Sequence, residues 1–104
     1  MIADAREVYV EESVNRYVVA LLRHTRADSR LALGASPRSG VSLLRVAKAL
    51  AMSEGRGYVQ PDDVKSLAVH VLAHRLIVAP EVRATGFGAE DAIRDALATT
   101  PVPV

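Results

Sequence analysis

The chain has 104 residues, half of them apolar but only 4% aromatic, with 13 Lys and Arg against 12 Asp and Glu, a net charge of +1 and no cysteine. That length carries one hydrophobic core rather than two, and the missing cysteines exclude a disulfide framework and thiolate chemistry. No apolar run reaches the roughly 18 residues that span a bilayer, and Asp4, Arg6 and Glu7 interrupt any signal-peptide pattern, so the expectation is a cytoplasmic chain without a membrane segment.

With so few aromatics the core must be built from Leu, Val and Ala, which suits closely packed helices, and apolar spacing predicts four of them in an all-α bundle. The first covers about Glu11 to Ala27, where Val14, Tyr17, Val18, Leu21 and Leu22 form one stripe. Glu11 and Glu12 near its start and Arg23, His24 and Arg26 near its end match the helix dipole. The second runs from Pro37 to Glu54 with Gly55 as its stop; Ser36 is its N-cap and Pro37 its first residue. Its apolar residues are Val41, Leu43, Leu44, Val46, Ala47 and Leu50, and Ala47, Ala49 and Ala51 would let a neighbouring helix come close.

The third helix opens at Pro61 with Asp62 and Asp63 in its first turn, and Val64, Leu67, Ala68, Val71 and Leu72 repeat the stripe. Val18, Leu21, Leu44, Leu67, Val71 and Leu72 are the expected core. The fourth covers Ala89 to Thr99 with Ile93, Ala96 and Leu97 inward, before Pro101 and Pro103 stop it. Short extended pieces lie between: Val8-Tyr9-Val10 and Tyr58-Val59, which could pair as a minimal two-stranded ribbon, and Leu76-Ile77-Val78. Arg83 to Gly88 reads as a loop and Thr99 to Val104 as a frayed tail.

Gly34-Ala35-Ser36-Pro37-Arg38 carries the strongest chemistry. The first amides of a helix are unpaired and bear partial positive charge, which makes an anion site, and Arg38 adds a full charge on a fork shaped for phosphate oxygens. The plainer reading is a capped helix with a solvated arginine. No lysine and hydroxyl follow in the register of a phosphate loop, so any nucleotide contact is that of an accessory surface. His70 and His74 share a helix face, but Val71 stands where a zinc protease has its glutamate, and beyond Glu81 no third ligand is evident, so no metal site is predicted. Ser29, Ser36, Ser39, Ser42, Ser53 and Ser66 form no nucleophile elbow.

Together these segments resemble a known family. Gly34 to Arg38, Ser42 to Ala51, Glu54 to Lys65 and Val71 to Leu76, with Tyr17 to Arg26 upstream, are similar to the C-terminal lid of MoxR-type AAA+ ATPases, in unbroken order over about residues 8 to 98. The resemblance implies that residues 1 to 104 are a single helical lid, excised from a larger ATPase whose α/β nucleotide-binding domain is absent, with Met1 an added or fortuitous start. It also implies that Arg38 is the sensor-2 arginine, reaching the γ-phosphate of ATP, with Gly34, Ala35, Ser36 and Pro37 lining the nucleotide side.

ATP and Mg2+ would belong to the full-length protein, and the lid alone, with no Walker A or B motif, would have no activity. The implied partners are the missing α/β domain and neighbouring subunits in a hexameric ring, working in chaperone-like remodelling of an unidentified client. Two departures from the family pattern stand out: Gln60 where Thr commonly precedes the proline, a poorer N-cap, and Gly40 inside a helix, costing up to ~1 kcal/mol against alanine. Two other readings compete. One is a helical DNA-binding domain using Arg23, Arg26, Arg30, Arg38, Arg45 and Lys48, which the near-neutral balance disfavours; the other is a histone-fold-like dimerisation module suggested by Val59 to Val64.

Overall fold

The computed structural model describes residues 4–103; Met1, and Val104 at the tip of the tail, lie outside the described residues. A 3-10 turn over Ala5–Glu7 leads into α1 (Glu12–Ala27), β1 (Leu31–Leu33), α2 (Pro37–Ser53) and α3 (Pro61–Leu72). A second 3-10 turn over Ala73–Arg75 then precedes β2 (Ile77–Val78), α4 (Pro80–Arg83) and α5 (Ala89–Thr99). The fold is all-α with a minimal β ribbon; the four long helices begin within a residue of the predicted positions, and α1, α2 and α5 also end within one. The single turn of α4 falls outside those four; its proline start is its one sequence signal.

The ribbon pairs one of the three predicted extended pieces, at Ile77–Val78, with Leu31–Leu33, which the sequence does not single out. Leu31 pairs with Val78 and Leu33 with Ile77, antiparallel, with an irregularity between the two pairs. Tyr9 and Tyr58, the expected partners, make a single parallel bridge, in which the Tyr9 N–H donates to the Gly57 carbonyl at 2.8 Å and the Val59 N–H to the Tyr9 carbonyl at 2.9 Å.

Helix α1 buries the whole predicted stripe, Val14 to Leu22, and extends it by one polar residue, Thr25. On α2 the buried line is Ser39, Gly40, Leu43, Ala47 and Ala51, spaced by threes and fours, while Val41 and Val46 are 57% and 41% exposed. Small residues rather than bulky ones set that face: Ala47, Ala51 and, on α3, Ala68 are fully buried where the two helices pack together. Ala49 points to solvent.

Of the six expected core residues, Val18, Leu21 and Leu72 are fully enclosed, whereas Leu44, Leu67 and Val71 pack against the core from its margin. Leu43→Ala is therefore expected to cost about 2–5 kcal/mol and Leu67→Ala less than about 2 kcal/mol. Urea midpoints of the two variants check the order, and equal losses would mean that Leu67 is as central as Leu43.

Glycine 40 is not a flaw in α2. A Cβ there would stand 2.7 Å from Leu22 Cδ1 and 3.4 Å from Val18 Cγ1, so its absence lets α2 approach α1. Nor does Gln60 weaken the start of α3. The Asp63 carboxylate reaches back to accept the Gln60 N–H at 2.8 Å, and Arg56 grips both Asp63 oxygens at 2.8 Å. The firmness comes from the third helical residue instead of the cap.

Burial raises the pKa of Asp63, but the Arg56 guanidinium and the Gln60 N–H outweigh burial and hold the carboxyl below its ordinary 3.8. A carboxyl depressed in the folded state stabilises above its unfolded value, and that contribution is lost as pH falls through the folded one. The contribution of Asp63 should therefore be level above about pH 5 and be lost below about pH 4, beside that of Asp28, which Arg30 depresses in the same way. Asp63→Asn should flatten part of the resulting fall in denaturant titrations between pH 6 and pH 2; an unchanged slope would show that the pair does not drive it.

Candidate functional site

The segment Gly34 to Arg38 joins β1 to α2 and is laid against the last turn of α1. Ala35 is fully buried, and its N–H donates to Thr25 Oγ1 at 3.0 Å; the Thr25 hydroxyl in turn donates to the Leu22 carbonyl at 2.7 Å. At Gly34 a Cβ would lie 2.7 Å from Arg26 Cα, 2.8 Å from Arg26 N and 2.8 Å from the Thr25 carbonyl oxygen, all of them backbone atoms. No side chain fits between loop and helix there.

From this pinned stretch the chain turns outward. Ser36, Pro37 and Arg38 are exposed, and the Ser36 hydroxyl accepts the Ser39 N–H at 3.3 Å, closing the helix start. The Ser39 and Gly40 amides both turn to the Ser36 carbonyl, and Pro37 has no N–H, so the Arg38 amide is left without a partner among the described residues. Its guanidinium also makes no ion pair among them. One exposed N–H at a helix start and one free, planar cation on the same residue make a compact anion-binding point.

Arg23, Arg26, Arg45, Arg75 and Arg83 likewise make no ion pair among the described residues, so what sets Arg38 apart is its place at the start of α2. Arg30 bridges Asp28 at 2.8 Å and Asp95 at 3.0 Å and lies 4.3 Å over the Phe87 ring, tying the end of α1 to α5. That removes it from the basic face a DNA-binding reading would need. His70 and His74 are exposed and line a groove of about 720 Å³ with Glu90, Asp91 and Arg94. Glu81, the third metal ligand considered, stands on α4 outside that lining. Among the described residues no group of three or more His, Cys, Asp or Glu is placed to hold a metal ion, and no helix is long and apolar enough to cross a membrane.

Sequence reasoning brought out Ser36, Pro37 and Arg38 but missed Thr25 and the reason for Gly34. One signal for Thr25 was present: it continues the apolar stripe of α1 after Leu21 and Leu22, and a polar side chain on a buried line must find a partner.

Comparison with known proteins identifies the family of the chain. The family model described as AAA lid domain matches residues 23–96. The uncharacterized protein YeaC of Bacillus subtilis is 35% identical over 101 residues, covering 97% of this chain and 32% of its own length. Chaperone MoxR1 of Mycobacterium tuberculosis is 33% identical, with 91% and 28% covered, and Protein MoxR of Paracoccus denitrificans is 35% identical, with 91% and 32% covered. A crystal structure of a candidate ATPase from Cytophaga hutchinsonii superposes with a TM-score of 0.88 at 31% identity, over 96% of this chain and 33% of that one. The chain thus spans about a third of the length of the curated relatives it matches. Matched by the lid model over most of its helices and by MoxR proteins along nearly all of its length, the chain belongs to the AAA lid domain family, as the lid of a MoxR-type AAA+ ATPase.

Proposed function

We propose that this lid senses the state of a bound nucleotide through Arg38, acting as the sensor-2 arginine of an ATPase whose α/β domain holds the rest of the nucleotide. The observation that carries the reading is the free guanidinium and free N–H of Arg38 at the exposed start of α2, on a loop braced against α1. These groups fit one phosphate rather than a whole nucleotide. A bound ATP would supply a terminal phosphate carrying the negative charge that such a cation binds, and Mg2+ would be held by the α/β domain. Arg38 binds and orients, Ser36 and Pro37 fix the direction in which it leaves the helix, and Gly34 and Ala35 set the loop beneath it.

Release of that charge frees the arginine and with it the lid, which turns nucleotide state into movement. In the whole protein this movement would serve ATP hydrolysis within a cytoplasmic hexameric ring and the remodelling of client proteins; the name Chaperone MoxR1 of one relative supports that last step. Steady-state turnover of the complete ATPase with Arg38→Ala tests the proposal, and near-normal turnover would return Arg38 to being an ordinary surface arginine.

A further inference from the structure

We infer that Thr25 is the positioning residue of the phosphate-sensing arginine: its buried hydroxyl, joining the end of α1 to the loop before α2, sets where Arg38 stands and hence how well the lid distinguishes a nucleotide with a terminal phosphate from one without. This role depends on Arg38 being the phosphate-binding group.

Thr25 is 1% exposed, on the face of α1 otherwise occupied by Leu21 and Leu22. A hydroxyl there can satisfy its donor within its own helix, as Thr25 does by donating to the Leu22 carbonyl at 2.7 Å. Its remaining lone pairs are what the rest of the fold uses. They accept the N–H of Ala35, at 3.0 Å, in a place water does not reach. The link from that bond to Arg38 is short and stiff. Ala35 is fully enclosed, Ser36 is held extended at φ −89° and ψ 164° with its hydroxyl on Ser39, and the ring of Pro37 fixes its own φ. Gly34, on the other side of the bond, is wedged against the backbone of Thr25 and Arg26. A shift at Ala35 therefore passes to Arg38 with little to absorb it.

Valine keeps the shape of threonine and cannot accept the Ala35 N–H, leaving a buried donor without a partner. The loop is then expected to move outward to reach water, taking the guanidinium with it. Displacements of about 1 Å at a group that binds a reacting centre cost on the order of 10²-fold.

The test uses the complete ATPase, with affinities for ADP and for the non-hydrolysable analogue AMP-PNP measured by calorimetry. Arg38→Ala is expected to abolish the preference for AMP-PNP. Thr25→Val should lower that preference at least ~10-fold while leaving ADP binding unchanged, and Thr25→Ser, which keeps the hydroxyl, should restore most of it. In an Arg38→Ala background Thr25→Val should change nothing further. Should Thr25→Val fail to fold, Thr25→Cys keeps the volume with a far weaker acceptor and carries the same comparison. Equal weakening of ADP and AMP-PNP binding in Thr25→Val, or an intact preference in Thr25→Val beside a lost one in Arg38→Ala, overturns the positioning role alone. A preference that survives Arg38→Ala overturns the reading of Arg38 and this role with it.

Discussion

Replacing Arg38 by alanine should reduce turnover of the complete ATPase on the order of 10³-fold while leaving the lid folded. The two halves of that expectation have different origins. Arg38 is exposed and makes no ion pair among the described residues, so its removal should move stability by no more than about 0.5 kcal/mol, as ordinary surface changes do. A cation aimed at a transferring phosphoryl group is a different matter, because arginines of that kind are worth on the order of 10³-fold or more in rate. Arg38→Lys should recover only part of the loss, since an ammonium is a point charge without the planar fork. Thermal unfolding and single-turnover hydrolysis on the same samples separate the two effects. Turnover that falls only in step with stability would mean the arginine supports structure instead of reading phosphate.

Gly34→Ala should have a large structural effect for a single added methyl. The new Cβ would come within 2.8 Å of three backbone atoms in the last turn of α1, none of which can rotate aside. Either the loop or the helix end has to move, and forced overpacking of this kind costs about 1–3 kcal/mol, occasionally more. Gly40→Ala is the internal control. There the nearest atom is a terminal methyl of Leu22, which can turn within its rotamers, and alanine in a helix recovers up to ~1 kcal/mol of propensity. Gly40→Ala should therefore cost less than Gly34→Ala in urea titrations, its overlap with the buried Leu22 side chain partly offset by the gain in helix propensity. Because Gly34 borders the bond from Thr25 to Ala35, the same variant should also lose turnover beyond what its stability explains. If the two glycine variants unfold alike, the approach of the loop to α1 is looser than these distances state.

What the sequence discloses depends on how far apart the interacting residues are. The bounds of α2 and α3 are legible because Pro37 and Pro61 mark first helical positions, and those of α1 because five apolar residues recur on one face. The ribbon is not, since Leu31–Leu33 and Ile77–Val78 are three and two residues long and meet only through the intervening fold. The face of α2 is legible in part: Ala47 and Ala51 do stand where a neighbouring helix comes close, whereas Ala49 faces solvent and Leu44 packs only at the margin of the core. The same division runs through the candidate site. Ser36, Pro37 and Arg38 follow local rules for helix starts, whereas Thr25 shows only its place on the α1 stripe and not its partner, Ala35, which lies beyond β1.

The bridge between Tyr9 and Tyr58 gives the domain a mechanical coupling point. Two backbone hydrogen bonds attach the strand entering α1 to the turn between α2 and α3, so a tug on the backbone before Tyr9 does not first peel α1 from its end. The load is shared at once with Gly57 and Val59, and through the Arg56–Asp63 clamp with the first turn of α3. The segment before α1 is thereby fastened by backbone bonds to the turn between α2 and α3, so three helices share one joint.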